Sequence, residues 1–335
     1  MSEPEPPANP EPAPAERAPA EQAPQEPSLV QKIRAAPITG LIVALNVAFF
    51  VWLETHGGST SGATLMHYGA LEPIHVWAGE YWRLLTSMFM HQGVMHIGMN
   101  MYVLVGWGAA LERALGPRRF ALLYMLAGLG GGCLSLASGL VFAPHSSVGA
   151  SGALFGIIGA VLALRRRQMP DLRTFFANPA IRSLLIQIGL WTAIGSFALH
   201  LDNAAHLGGF ISGFAVAWIF TSRARRNGWL ALAAAFGVAF IVATRPWWTP
   251  SGKDASELLL LSRAYITGQD GGDPWPKDVA RGEHFLGKGC THGIAHACLM
   301  LADHVESLGP ENAAKAEALR HRGCELEPAV CLQQH

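Results

Sequence analysis

Residues 121–164 read ALLYMLAGLG GGCLSLASGL VFAPHSSVGA SGALFGIIGA VLAL, without one Asp, Glu, Lys or Arg. Soluble domains carry charge at about one residue in four. A run of this length can hold two helices of about 20 apolar residues, each able to cross the hydrocarbon core of a bilayer. Outward from this run the chain stays poor in charge. Residues 35–250 hold 19 of the 48 charged residues, 13 of them arginine. The ends differ: residues 1–34 carry 9 charges and residues 251–335 carry 20. Whole-chain figures of 50% hydrophobic, 14% charged and zero net charge average over these three regimes. The balanced charge also argues against nucleic acid as a partner, since such binding needs a basic surface.

Seven spans are expected: Pro37–Leu53, Gly93–Leu111, Phe120–Phe142, Gly149–Leu164, Leu184–Leu199, Ala204–Phe220 and Trp229–Ala243. Arg118 and Arg119 follow the second span. Arg165, Arg166, Arg167 and Arg173 follow the fourth, and Arg223, Arg225 and Arg226 the sixth. The positive-inside rule puts these loops and the N-terminus in the cytoplasm, and the C-terminal tail outside. Arg245, beside Pro246-Trp247-Trp248, reads as an interfacial anchor. The aromatic loop Glu54–Met90 is expected as short interfacial helices at the outer surface. Residues 1–34 form a Pro/Glu-rich arm with too little apolar surface to offset its ordering entropy, so disorder is expected. The division is therefore a cytoplasmic arm (1–34), a six-span core (35–222), a cytoplasmic loop with the seventh helix (223–248) and an external tail (249–335).

Polar groups inside apolar spans require a partner or a function. Ser151 opens the fourth span within Gly149-Ala-Ser-Gly-Ala-Leu-Phe-Gly156. Read alone, Gly152 and Gly156 are equally a small-residue packing face. His206 opens the sixth span, followed by Gly209 and Gly213 at the same four-residue interval. In the topology above, Ser151 and His206 lie at matching depth near the outer ends of their spans. A serine beside an imidazole base is the minimum for acyl transfer. His96 and Asn100, four apart on one face of the second span, are suitable donors to a developing oxyanion. Asp202, four before His206, suits a helix cap better than a third catalytic member. Metal binding by His91, His96, His145, His200 and His206 lacks a ligand motif, and no metal or other cofactor is expected.

Tyr81-Trp82-Arg83, His91, His96 with Asn100, Glu112-Arg113, Leu115-Gly116-Pro117, Gly149–Gly156 and Ala205-His206 with Gly209 and Gly213 follow in that order. Together they resemble the rhomboid intramembrane serine proteases over about residues 36–222. The resemblance implies an all-α, rhomboid-like six-helix membrane core, here with a seventh helix, and a serine endopeptidase acting on transmembrane protein substrates. It makes Ser151 the nucleophile, His206 its base, and His96, Asn100 and the Ser151 N–H an oxyanion hole. Arg83 and Glu112 become structural supports, and Gly209 and Gly213 let the sixth span approach the fourth. Phe155 stands where bacterial members of that family usually carry tyrosine, as a wall stacked on the base. The implied location is a bacterial plasma membrane. A scaffold without activity that binds client helices is the alternative, and a transporter is disfavoured by the scarcity of charge within the spans.

The tail holds Cys290, Cys298, Cys324 and Cys331, with gaps unlike those of a zinc site. Cys290 to Cys324 and Cys298 to Cys331 repeat at 34 and 33 residues, a two-helix period. Glu257–Gly268, Asp278–Gly289, Ile294–Ser307 and Glu311–Gly323 are expected as helices. Residues 257–334 resemble cysteine-rich Sel1-like repeats. That resemblance implies Cys290–Cys298 and Cys324–Cys331 disulfides and a protein partner for the repeats. Disulfides need an oxidising compartment, consistent with the external tail.

Overall fold

The computed structural model describes residues 31, 34–140, 146–198, 201–222, 225–245, 249–270 and 272–331. Nearly all of the expected disordered arm lies outside these residues, as do Phe142, His145, Leu199, His200, Arg223 and the Pro246–Trp248 anchor. The described chain is mostly helical. Each expected span overlaps a helix: α1 (Pro37–Thr55), α5 (Gly93–Leu115), α6 (Pro117–Ser138), α7 (Ser151–Arg167), α9 (Pro179–Ala198), α10 (Asn203–Thr221) and α11 (Arg225–Thr244). Among the described residues, α1, α5, α6, α10 and α11 are long and apolar enough to cross a membrane. Their outer faces are greasy. Val94, Met95 and Tyr102 of α5 are 72%, 77% and 83% exposed, a surface suited to lipid rather than water.

Local chemistry sets the boundaries. Pro37 and Pro117 occupy first helical turns, where the missing N–H costs nothing. Gly116, at φ +82°, makes the reversal between α5 and α6 that an L side chain resists. Asp202 caps α10 by accepting from the Ala205 N–H at 2.9 Å. Glu112, buried near the end of α5, accepts from the Ile38 N–H at 3.0 Å and the Thr39 N–H at 2.7 Å, and from the Thr39 hydroxyl at 2.8 Å. One carboxylate thus satisfies the start of α1 and ties it to α5.

Helix α10 lies between α6 and α7. A Cβ on Gly209 would sit 1.9 Å from the Gly152 carbonyl oxygen, and one on Gly213 would sit 2.1 Å from that of Gly156. Backbone therefore touches backbone along the α7–α10 seam.

The loop between α1 and α5 folds as α2 (Gly62–Tyr68), α3 (Pro73–Trp77), α4 (Arg83–Thr86) and a 3₁₀ turn (Ser87–Phe89). The tail forms α12 (Lys253–Thr267), α13 (Val279–Thr291), α14 (Ala295–Ser307) and α15 (Ala313–Leu326). Cys290–Cys298 and Cys324–Cys331 lie at disulfide distance, with Cα atoms 4.7 and 5.7 Å apart. The tail is docked on the α1–α5 loop. Ile74, Trp77 and Ala78 share a buried cluster with Leu258, Tyr265 and Phe285.

The tail adds one short antiparallel pair, Gln269–Asp270 with Asp273–Pro274. One expectation needs correction. Arg245 does not reach outward as an anchor. It is buried, and its Nη2 donates to the Leu136 carbonyl at 2.6 Å, a cation closing the C-terminal turn of α6.

Candidate active site

Ser151 is the first residue of α7, so its backbone N–H is one of those that no intrahelical carbonyl claims. Gly149, two residues earlier, has φ +122°, which turns the incoming loop sharply into the helix. His206 is buried in the first turn of α10, four residues beyond its Asp202 cap. The glycine seam brings these two helix starts together. Ser151 Oγ lies 2.9 Å from His206 Nε2. The Phe155 ring, one turn below Ser151, stacks on the imidazole with centroids 4.2 Å apart. Helix α7 thus presents both the hydroxyl and the surface that orients the ring.

Among the described residues, His206 Nδ1 is buried without a hydrogen-bond partner. The Asp202 carboxylate instead accepts from the Ala205 N–H and the Ser135 hydroxyl. Among the described residues, no carboxylate bonds the imidazole.

His96 and Asn100 border the same loop. A Cβ on Gly149 would lie 2.7 Å from His96 Nε2 and 3.8 Å from Asn100 Nδ2. The Gln92 N–H donates to His96 Nδ1 at 3.3 Å, which leaves the proton of a neutral ring on Nε2, facing Gly149. Asn100 Nδ2 donates to the His96 carbonyl at 3.0 Å and has a second hydrogen to offer.

His91 acquires a place that its sequence did not reveal. It is fully buried, its Nε2 accepts from the Ala150 N–H at 3.4 Å, and its ring meets His96 edge-on at 5.0 Å. Burial, then the nearby His96, pushes His91 down to about 3, so it stays a neutral acceptor. Arg83 lies farther out. It is buried, and its Nη1 donates to the Met66 and Ala70 carbonyls at 2.6 and 2.8 Å. Among the described residues no group of three or more His, Cys, Asp or Glu could hold a metal ion.

A cavity of 720 Å³ opens between α5 and α9, with Met95, Met99, Tyr102, Trp107, Ile188 and Phe155 in its wall. It reaches the back of the ring stacked on His206. A second space of 20 Å³, bordered by Ser87, Ser147 and Ser151, has room for about one water.

Residues 78–223 match the Rhomboid domain. The chain is 38% identical over 236 residues to Rhomboid protease GluP of Bacillus subtilis (strain 168), covering 69% of this chain and 45% of that protein. It is 42% identical over 166 residues to RHOMBOID-like protein 1 of Arabidopsis thaliana, covering 49% of this chain and 41% of that protein. It is 33% identical over 185 residues to Rhomboid-like protease 2 of Toxoplasma gondii, covering 51% and 62%. The chain thus spans less than two thirds of each of these relatives. The domain match, the protease-named relatives and the apolar helices support an integral membrane protein of the rhomboid family.

Proposed function

We propose that this chain is an intramembrane serine endopeptidase that cleaves transmembrane proteins with Ser151 as nucleophile and His206 as general base. The observation that carries the reading is the 2.9 Å contact between Ser151 Oγ and His206 Nε2 at the start of α7, beside a glycine turn faced by His96 Nε2. His206 takes the hydroxyl proton as Ser151 attacks the scissile carbonyl. The tetrahedral oxyanion then forms at the Ser151 N–H, within reach of His96 and Asn100. Donors aimed beforehand at developing charge contribute several kcal/mol, about 3–4 for a single one. The positive end of the α7 dipole adds to this. His206 returns its proton to the leaving amine, and a water attacks the acyl-enzyme. The small serine-lined space beside Ser151 suits that water, while the 720 Å³ cavity offers an unwinding substrate helix a route from the lipid.

The remaining features take matching roles. Arg83 and Glu112 brace the outer loop and the α1–α5 contact, and Gly209 and Gly213 set the serine–histidine approach. The core has six spans and α11 is a seventh, in a bacterial plasma membrane. The N-terminus is cytoplasmic, and the tail is an extracytoplasmic pair of Sel1-like units. The test is cleavage of a model transmembrane substrate by the purified full chain in proteoliposomes. Ser151→Ala is expected to abolish cleavage with the melting temperature unchanged. Equal cleavage by that variant would remove Ser151 from the chemistry, and an inactive wild type would favour a client-binding scaffold.

A further inference from the structure

Besides the Tyr265–His75 bond from α12, one face of α13 ties the tail to the outer loop. Arg281, His284 and Lys288 are spaced so that all three lie on that face. His284 Nε2 bonds the Ala78 carbonyl at 2.8 Å, and Lys288 donates to the Trp77 carbonyl. Arg281 makes the contact that leads furthest. Its Nε lies 3.0 Å from Glu80 Oε1, while the other oxygen of that carboxylate, Oε2, accepts from Arg83 Nε at 2.6 Å. Glu80 thus joins a guanidinium of the tail to the guanidinium that organises the loop.

From Arg83 the connection continues inward. Arg83 Nη1 holds the Ala70 carbonyl, and the next residue, Leu71, pairs with Ser147 in both directions at 2.9 and 2.8 Å. Ser147 stands in the loop that enters α7. Two residues on, the Gly149 N–H donates to the Ser87 carbonyl at 2.8 Å. Every link is an ion pair, a direct hydrogen bond or a run of no more than two residues, from the tail to the turn before the nucleophile.

We propose that Arg281 is a positioning residue for peptide cleavage: by sharing Glu80 with Arg83 it holds the Leu71–Ser147 pair, and with it the Gly149 turn that sets Ser151 and its N–H. The tail is then a brace on the cleavage site as well as a surface for partners. This rests on the protease reading for its activity arm only. The brace acts on the oxyanion end of the site, away from the α5–α9 cavity, so its loss falls on kcat and spares KM.

The experiment uses the full chain in proteoliposomes, with hydrogen exchange and cleavage measured on the same preparations. Arg281→Gln leaves the Ile74, Trp77, Leu258 and Phe285 contacts in place, and melting confirms that the tail is still folded. Exchange at Leu71, Ser147 and Gly149 is expected to quicken about tenfold, and kcat to fall about tenfold with KM within about twofold, the middle of the range for such couplings. Arg281→Lys, which keeps a cation beside Glu80, is expected to restore most of both. Glu80→Gln cuts the same link from the loop side and serves if the first variant unfolds. Unchanged exchange at Ser147 in a folded variant overturns the proposal, as does a fall in kcat without faster exchange there. If the wild type and Ser151→Ala are equally inactive, the protease reading fails while the exchange arm still decides the link.

Discussion

Phe155 and His206 stack with their rings 5° from parallel and 4.2 Å between centroids. Among the described residues Nδ1 has no partner, so this contact and the Ser151 bond are the ones that hold the imidazole in its plane there. A stacked pair is worth about 0.5–1.5 kcal/mol beyond its buried area, or roughly two- to tenfold in rate if it orients the base. Phe155→Ala is therefore expected to lower kcat about fivefold on that scale, and Phe155→Tyr to stay within about twofold of wild type. Turnover assays with a model transmembrane substrate check both. An alanine variant at full rate would show that stacking does not orient His206.

The α7–α10 seam makes a stability test with its own control. Cβ atoms at Gly209 or Gly213 would fall within about 2 Å of a carbonyl oxygen that belongs to backbone, and backbone cannot swing aside. Gly209→Ala and Gly213→Ala are each expected to destabilise by about 3 kcal/mol or more, the upper end of overpacking costs, and to abolish cleavage as the helices separate. Gly237→Ala in α11 meets nothing within 4 Å and is expected to be neutral or to stabilise by up to about 1 kcal/mol. Thermal melts in detergent separate these outcomes. A Gly213→Ala protein with the wild-type melting temperature would mean that the seam is looser than it stands here.

The apolar helices are legible because charge is excluded from lipid and little else removes it over 44 residues. Ser151 and His206 could be paired because topology matched their depths. What could not be read depended on contacts between distant residues. Glu80 looks like an ordinary loop acid until α13 arrives with Arg281, 201 positions later in the chain. His91 stands in the sequence as one of several histidines weighed as metal ligands, and its acceptor role appears only once Ala150 lies beside it. Arg245 read as an anchor because aromatics follow it. The geometry that turns it inward, toward the end of α6, has no local sequence signal.

The docked tail should respond to acid. His75 is fully buried, with Nδ1 2.6 Å from Glu72 Oε2 and Nε2 2.8 Å from Tyr265 Oη. Arg83 and Glu80 also act on it, and Phe285 packs against its ring. Burial holds His75 below its ordinary value of 6.5, so it is neutral when folded. An unfolded or undocked His75 gains a proton below about pH 6.5, so docking stability is complete above that pH and declines as pH falls. Glu72 is held below the ordinary carboxylate range, by the His75 hydrogen bond foremost among its favourable contacts, against the cost of burial. Its contribution is present above about pH 4.5 and is lost as pH falls through its folded value. Both losses lie on the acid side. Exchange protection of α12 and α13 is expected to be flat from pH 8 to 7 and to drop below about pH 6.5. His75→Gln should flatten the upper part of that drop. An identical profile in the variant would assign the acid response elsewhere.

The cysteine pairs test the orientation of the whole chain. Cys290–Cys298 closes a loop of 8 residues, and Cys290 and Cys298 both lie in the cluster that packs on Trp77. Closing so short a loop is worth roughly 2–3 kcal/mol by restriction of the unfolded chain. Cys290→Ser with Cys298→Ser is therefore expected to lower the stability of the tail by about that amount. The fifth cysteine, Cys133, is buried in α6 and carries no disulfide. In intact cells, a membrane-impermeant thiol reagent is expected to label the tail only after an impermeant reductant has opened the bridges. That result requires an oxidised tail on the outer side and, with seven spans, a cytoplasmic N-terminus. Four thiols that label without reductant, and only after the membrane is permeabilised, would put the tail in the cytosol and reverse the orientation of the core.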